Sequence, residues 1–106
     1  ILEAPLEGFD AVYALDLFEH ILEEDQLMAN LKRCAPVVII GTPSLESQAY
    51  ASELSKLGHV NCKSGDDLKR SLARHWREVF LFSMNDEVVH TGFRPMAHYL
   101  MALCVK

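Results

Sequence analysis

Asp16-Leu17-Phe18-Glu19-His20 places two carboxylates and an imidazole within one short segment. Imidazole titrates near neutral pH, so a histidine here could take a proton from a reacting hydroxyl. His20 is the first candidate for such a base, and His59, which follows Gly58 in a loop, is the second. Thr42 and Pro43 follow another apolar run and could face a ligand. His90, Phe93 and Arg94 share one long connector, where they could form a lid, with Arg94 holding an anionic group. Each has a plainer use. His20 can pack against a helix start, Asp16 can be an acid favoured by a helix dipole, and His59, His90 and Arg94 can sit on surface loops. His59, His90 and His98 lack any spacing typical of metal ligands, so no metal site is read from them.

These residues need elements to hold them. Ala11 to Leu15 (AVYAL) and Val37 to Ile40 (VVII) are short apolar runs without alternation, as expected of parallel strands covered on both faces. Between them, Leu27, Met28, Leu31 and Cys34 recur at helical spacing over 24–34. Acids at the start of that segment and Lys32 and Arg33 at its end suit the helix dipole, and Pro36 stops it. The strand–helix–strand unit predicts parallel strands with a right-handed crossover. A second helical region is predicted from about Ser44, with Tyr50, Leu54 and Leu57 along one side and Gly58 as a left-handed cap. A third runs from about Asp66 to His75. Ser64 and Asp67 resemble a capping box at its start, and Leu68, Leu72 and Trp76 form its buried face. Glu78 to Met84 and His98 to Val105 read as two last strands. The connector 85–97 carries no helix pattern, so this pair should be antiparallel.

In open parallel sheets, ligands bind beyond the carboxyl ends of the strands. That rule selects Asp16 to His20 after the first strand and Gly41 to Pro43 after the second.

The chain has 106 residues and a net charge of −5, with half its residues hydrophobic. One small domain with a real core fits this length. The acids crowd the first thirty residues, which hold no Lys or Arg, and no basic stripe is evident. Nucleic acid is therefore not an expected partner. No apolar run approaches the roughly 18 residues of a membrane span, so no membrane partner is expected either. Three separated cysteines (Cys34, Cys62, Cys104) suit a reducing, cytoplasmic setting rather than a disulfide framework.

FDAVYALDLFEHI, a helix, and then VVIIGTPS resemble the fourth and fifth strands of class I S-adenosylmethionine-dependent methyltransferases. The small-molecule members often carry a strand ending in x-x-x-E-H. GHVNCKSGDDLKRSL is similar to the family's His-containing loop and following helix, and the last two strands look like the hairpin that ends the fold. The resemblance implies an α/β fold: a partial Rossmann-like methyltransferase sheet of strand order 4-5-7-6, its last strand antiparallel, with helices on the faces. Residues 1–106 would be the C-terminal portion of one domain. Nothing in the chain resembles the family's glycine-rich turn, so the fragment alone is expected to be inactive.

For the intact protein, the resemblance implies methyl transfer from S-adenosylmethionine to a small-molecule oxygen or nitrogen. Ile1 and Leu2 would flank adenine, and the Leu15 carbonyl would face the cofactor's amino group. Asp16 would lie near the methyl donor, Leu17 and His20 would floor the site, and Thr42 and Pro43 would face the acceptor. The strand Ala11 to Leu15 would lack a neighbour, which predicts a homodimer or a partner chain across that edge or the adjoining uncovered face. The rival readings are a non-catalytic module that pairs with itself or a partner, and a small α/β ligand-binding domain.

Overall fold

The computed structural model describes residues 6–106. Five strands form one mixed sheet in the order β1-β2-β5-β3-β4. β1 (Ala11–Leu15) runs parallel to β2 (Val37–Pro43), and β5 (Tyr99–Val105) lies antiparallel between β2 and β3 (Glu78–Asn85). The first four strands of that order reproduce the expected 4-5-7-6 arrangement, its last strand antiparallel.

α1 (Glu24–Cys34) occupies the predicted span, and α3 (Gly65–Ala73) begins one residue earlier than its sequence reading. The Ser64 hydroxyl accepts the Asp67 N–H and so satisfies one orphan donor of the first turn. α1 and α3 bury Leu27, Met28, Leu31, Leu68 and Leu72 against the same set of strand residues, Val38, Ile40, Leu81, Leu100, Ala102 and Cys104. Trp76, just after α3, closes this layer, and its indole N–H points to the Met28 sulfur at 3.4 Å. Both helices therefore cover one face. The cause is topological: both crossovers step the same way along the sheet, and right-handed crossovers stepping one way lie on one side. No helix among the described residues is long and apolar enough to cross a membrane.

Two regions depart from the sequence reading. The second helical region is a 3-10 turn (Glu46–Tyr50) followed by α2 (Glu53–Gly58), which restarts where the Ser52 hydroxyl accepts the Ser55 N–H. Tyr50, Leu54 and Leu57 are all exposed, because two short pieces present no continuous stripe to the core. Gly58 ends α2 without a left-handed backbone; its use lies in the site described below. The connector 85–97 contains a strand, β4 (Val88–His90), which doubles back on β3, and a 3-10 turn (Arg94–Met96). The β3–β4 turn places Asp86 at φ 51°, a left-handed conformation that Asp tolerates.

Candidate functional site

The chain leaves β1 through a strained residue. Asp16 has φ 58°, uncommon for a residue with a side chain, while its N–H still bonds the Gly41 carbonyl at 3.0 Å. The bend turns its carboxylate toward Tyr99, whose hydroxyl donates to it at 2.9 Å. Gly41 makes this possible: a Cβ there would stand 2.6 Å from the Tyr99 hydroxyl and 2.7 Å from Leu15. Partial burial, and then the hydrogen bond to Asp16, push the Tyr99 phenol well above its ordinary range. Leu15, Asp16, Met84, Asp86, His98, Tyr99 and Met101 enclose a cavity of about 320 Å³. It contains two carboxylates and no Lys or Arg.

Beyond Asp16 the chain coils into a 3-10 turn, Phe18–His20. Phe18 is buried in the core and anchors the turn, and Leu17 packs against the same cluster. Glu19 is also buried, which is costly for a carboxylate unless it is bonded. Its Oε2 accepts the Thr42 hydroxyl at 3.1 Å, and its backbone carbonyl accepts the N–H groups of Val60 and Asn61. Those backbone bonds tie the loop carrying His59 to the turn carrying His20.

The two imidazoles meet with ring centroids 5.0 Å apart. His20 Nδ1 lies 2.6 Å from the Gly58 carbonyl, which can only accept, so Nδ1 carries the proton and Nε2 keeps its lone pair. A Cβ on Gly58 would stand 3.2 Å from the His20 ring, so glycine here admits a close approach. His59 Nδ1 bonds the Gln48 side-chain oxygen at 2.8 Å, which leaves its Nε2 free in the same way. His20 Nε2 stands 3.6 Å from Glu19 Oε1. One ligand-type atom from each of Glu19, His20 and His59 falls within 4.8 Å of the others, so this trio can share a proton or hold a metal ion. It is the one such group among the described residues, and His90 and His98 do not belong to it. The Cys62 thiol is pushed up by burial and by the nearby Glu19 charge.

The sequence candidates divide. Leu15 and Asp16 line the small cavity, and His20 and His59 come together. Leu17 floors the turn from the core side. Thr42 is fully buried and holds Glu19, so it offers an acceptor no surface. Pro43 is half-buried at the end of β2, paired with Tyr99. His90 bonds Asn85 and the Gly92 N–H within the hairpin, and Arg94 pairs with Asp66 at 3.0 Å while its stem lies over Gly65. The His90 ring is bonded within the hairpin, and the Arg94 guanidinium is engaged through one nitrogen by Asp66. Ile1 and Leu2 lie outside the described residues. Sequence reasoning passed over Gln48 and Tyr99 as functional groups, weighed His98 only as a metal ligand, and gave Glu19 no role of its own. Tyr99 and His98 begin the last strand, directly opposite the end of β2, and that register was the available signal.

No family model matches the chain, and no curated protein does. Among solved structures it is similar to the crystal structure of the small RNA methyltransferase HEN1, with TM-score 0.71 and 16% identity over 99% of this chain. The match spans 15% of that longer protein. At this identity the likeness establishes a shared methyltransferase-like α/β fold.

Proposed function

We propose that this chain contributes to methyl transfer from S-adenosylmethionine to a small-molecule oxygen or nitrogen. The observation that carries the reading is the cavity at the carboxyl end of β1. Asp16 and Asp86 give it negative charge with no basic residue, which suits the sulfonium and ammonium groups of the donor. The donor brings an already activated methyl group. The chain's own residues must align the acceptor, exclude water and remove a proton. His20 Nε2 carries the lone pair that would take that proton because Gly58 fixes the tautomer, and buried Glu19 stands 3.6 Å from it. His59 backs the same position. Asp16 and Asp86 would face the donor, which would supply the activated methyl group, and His20 would hold the proton released by the acceptor.

The named neighbour acts on small RNA. For this chain a small acceptor is the better reading, because its net charge is −5 and no Lys or Arg lines the site cavities. The glycine-rich contacts to the donor would come from another part of the protein or from a partner, and the 106 residues alone would bind the donor weakly. A second reading is favoured by one observation: the sheet face opposite the helices is apolar and bare, which suits a module that assembles with a second copy or a partner chain.

The test is turnover in the full-length protein. His20→Ala should lower kcat roughly 10²-fold while leaving donor affinity nearly unchanged, the size expected for a lost general base. Unchanged turnover across neutral pH would reassign His20 to packing.

A further inference from the structure

A second cavity lies beside the first. Glu46, Ser47, Tyr50, Pro95, Met96, Ala97 and His98 enclose about 540 Å³, a size that suits a small organic ligand. His98 belongs to both cavities, so they share a wall. Its imidazole makes no hydrogen bond within the described structure, although its backbone is fixed: the His98 carbonyl accepts the Ser44 N–H, and the Ala97 carbonyl accepts the Ser44 hydroxyl. An exposed imidazole on a fixed backbone thus stands where the two spaces meet.

The walls differ in character. Tyr50 is 91% exposed and Met96 is 73% exposed, although both are large and apolar. Neither contributes to the core, and together they flank the space like a platform for a flat or ring-shaped body. The polar groups are mostly acceptors. The Ser47 hydroxyl spends its proton on the Ser44 carbonyl at 2.8 Å, leaving its oxygen to accept. Glu46 brings a carboxylate whose Oε1 has no donor among the described residues. No lysine or arginine lines the space.

We propose that this cavity is the acceptor subsite, and that it takes an uncharged or cationic ring bearing hydroxyl or amino groups. The inference rests on the methyl-transfer reading for the word acceptor, but not for the binding itself. The Glu46 carboxylate and the Ser47 oxygen are acceptors that favour a ligand with hydrogen-bond donors, while the Tyr50 hydroxyl and the His98 imidazole can each donate or accept. The same lining repels phosphate and carboxylate esters, which would find a carboxylate and no cation. Tyr50 and Met96 cover the apolar faces of the ring. Glu46 and Ser47 receive its donors, and His98 contacts the edge nearest the methyl donor. The Glu46–Tyr50 turn also carries Gln48, whose side chain fixes His59, so seating a ring against this turn bears directly on the histidine pair.

The experiment is saturation-transfer NMR on this chain, with glucosamine and inositol as probes and their phosphate esters as controls. Saturation should reach the ring protons of an uncharged or cationic probe and fall about tenfold in Tyr50→Ala and in Glu46→Gln. Both residues lie outside the core, and an unchanged melting curve confirms the fold of each variant. Equal saturation in the variants, no saturation with either probe, or preference for the phosphate esters would overturn the subsite. Donor titration of the full-length protein separates the two ideas. Ring binding without any donor binding removes the methyl-transfer reading and leaves the subsite. Methyl transfer with an acceptor KM untouched by Tyr50→Ala removes the subsite and leaves the reading.

Discussion

The two faces of the sheet are made of the same kinds of residue and meet opposite fates. On one face the rows Val12–Val38–Cys104–Val79 and Ala14–Ile40–Ala102–Leu81 lie under α1 and α3. On the other, the rows Tyr13–Ile39–Leu103–Phe80 and Leu15–Gly41–Met101–Phe82 have no helix above them among the described residues. Ile40 is 1% exposed, whereas Tyr13 is 72% and Phe80 49% exposed. Strands apolar on both sides are composed for burial on both sides. The bare face is therefore a surface written to be covered, and the small cavity at Asp16 lies along its carboxyl edge. What distinguishes the faces is which one the crossovers reach, and no single strand encodes that.

The largest expected effect compares truncations on the two faces. Leu68→Ala or Trp76→Ala should destabilise the chain by about 3–5 kcal/mol, since each opens a cavity in a closed layer. Phe80→Ala removes a larger side chain than Leu68→Ala does, yet it should cost no more than about 1 kcal/mol in monomeric chain, where solvent already touches the ring. Urea titration of the three variants at low protein concentration makes the comparison. Equal losses on both faces would mean that the bare face is covered in the monomer.

The sheet and the first helix were legible because their signals are local and redundant. The 24–34 segment combines helical periodicity, acids at its start, bases at its end and a following proline, and its span is as read. Strand order followed from the family resemblance, while the parallel first pair and the antiparallel last pair followed from the helix in 24–34 and the lack of one in 85–97. The failures also have physical causes. Tyr50, Leu54 and Leu57 are spaced like a buried stripe, but Ser52 caps a new helix between them and breaks the phase. β4 has only three residues, too short a run for the Asn85-Asp86 turn signal and the Val88-Val89 pair to stand out as a hairpin. In the site, the pairing of His20 with His59 was half visible, since both were candidates while their contact spans 39 positions of sequence. The roles of Gly58 and Gly41 were invisible, because a glycine that admits a neighbour reads like any other glycine until that neighbour is placed.

A middle-sized effect separates the faces by pH. Cys104 lies on the covered face, and burial pushes its thiol up to about 12. Tyr99 lies on the bare face, and partial burial together with Asp16 raises its phenol above the ordinary value of 10.0. Both groups hold their protons more tightly folded than unfolded. Their contribution is therefore complete below the unfolded values of 9.0 and 10.0 and is lost as pH climbs beyond them. Unfolding monitored by circular dichroism should show stability declining from about pH 9 upward. Tyr99→Phe should flatten the part of the decline above pH 10 and leave the Cys104 part in place. An unaltered slope in that variant would show that the Tyr99 phenol does not contribute to the decline.

The smallest effect on the chain's own stability should come from charge placed on the bare face. Tyr13 and Phe80 occupy the same cross-sheet row, at its two ends, and both are open to solvent. Tyr13→Lys with Phe80→Lys should change monomer stability by only about 0.5 kcal/mol, the usual range for surface substitutions. Its consequence for assembly should be far larger. A contiguous apolar face beside β1, an edge strand with no lysine or proline, offers both a surface and a backbone template to another chain. Twofold association would bury two copies of the patch at once, and two lysines would have to be desolvated within it. Light scattering at micromolar concentration should therefore find the unmodified chain associated and the double variant monomeric. A monomeric unmodified chain would refute self-association. The bare face would then need cover from elsewhere in a longer protein or from a different chain, and the helical face would remain the only one this sequence closes by itself.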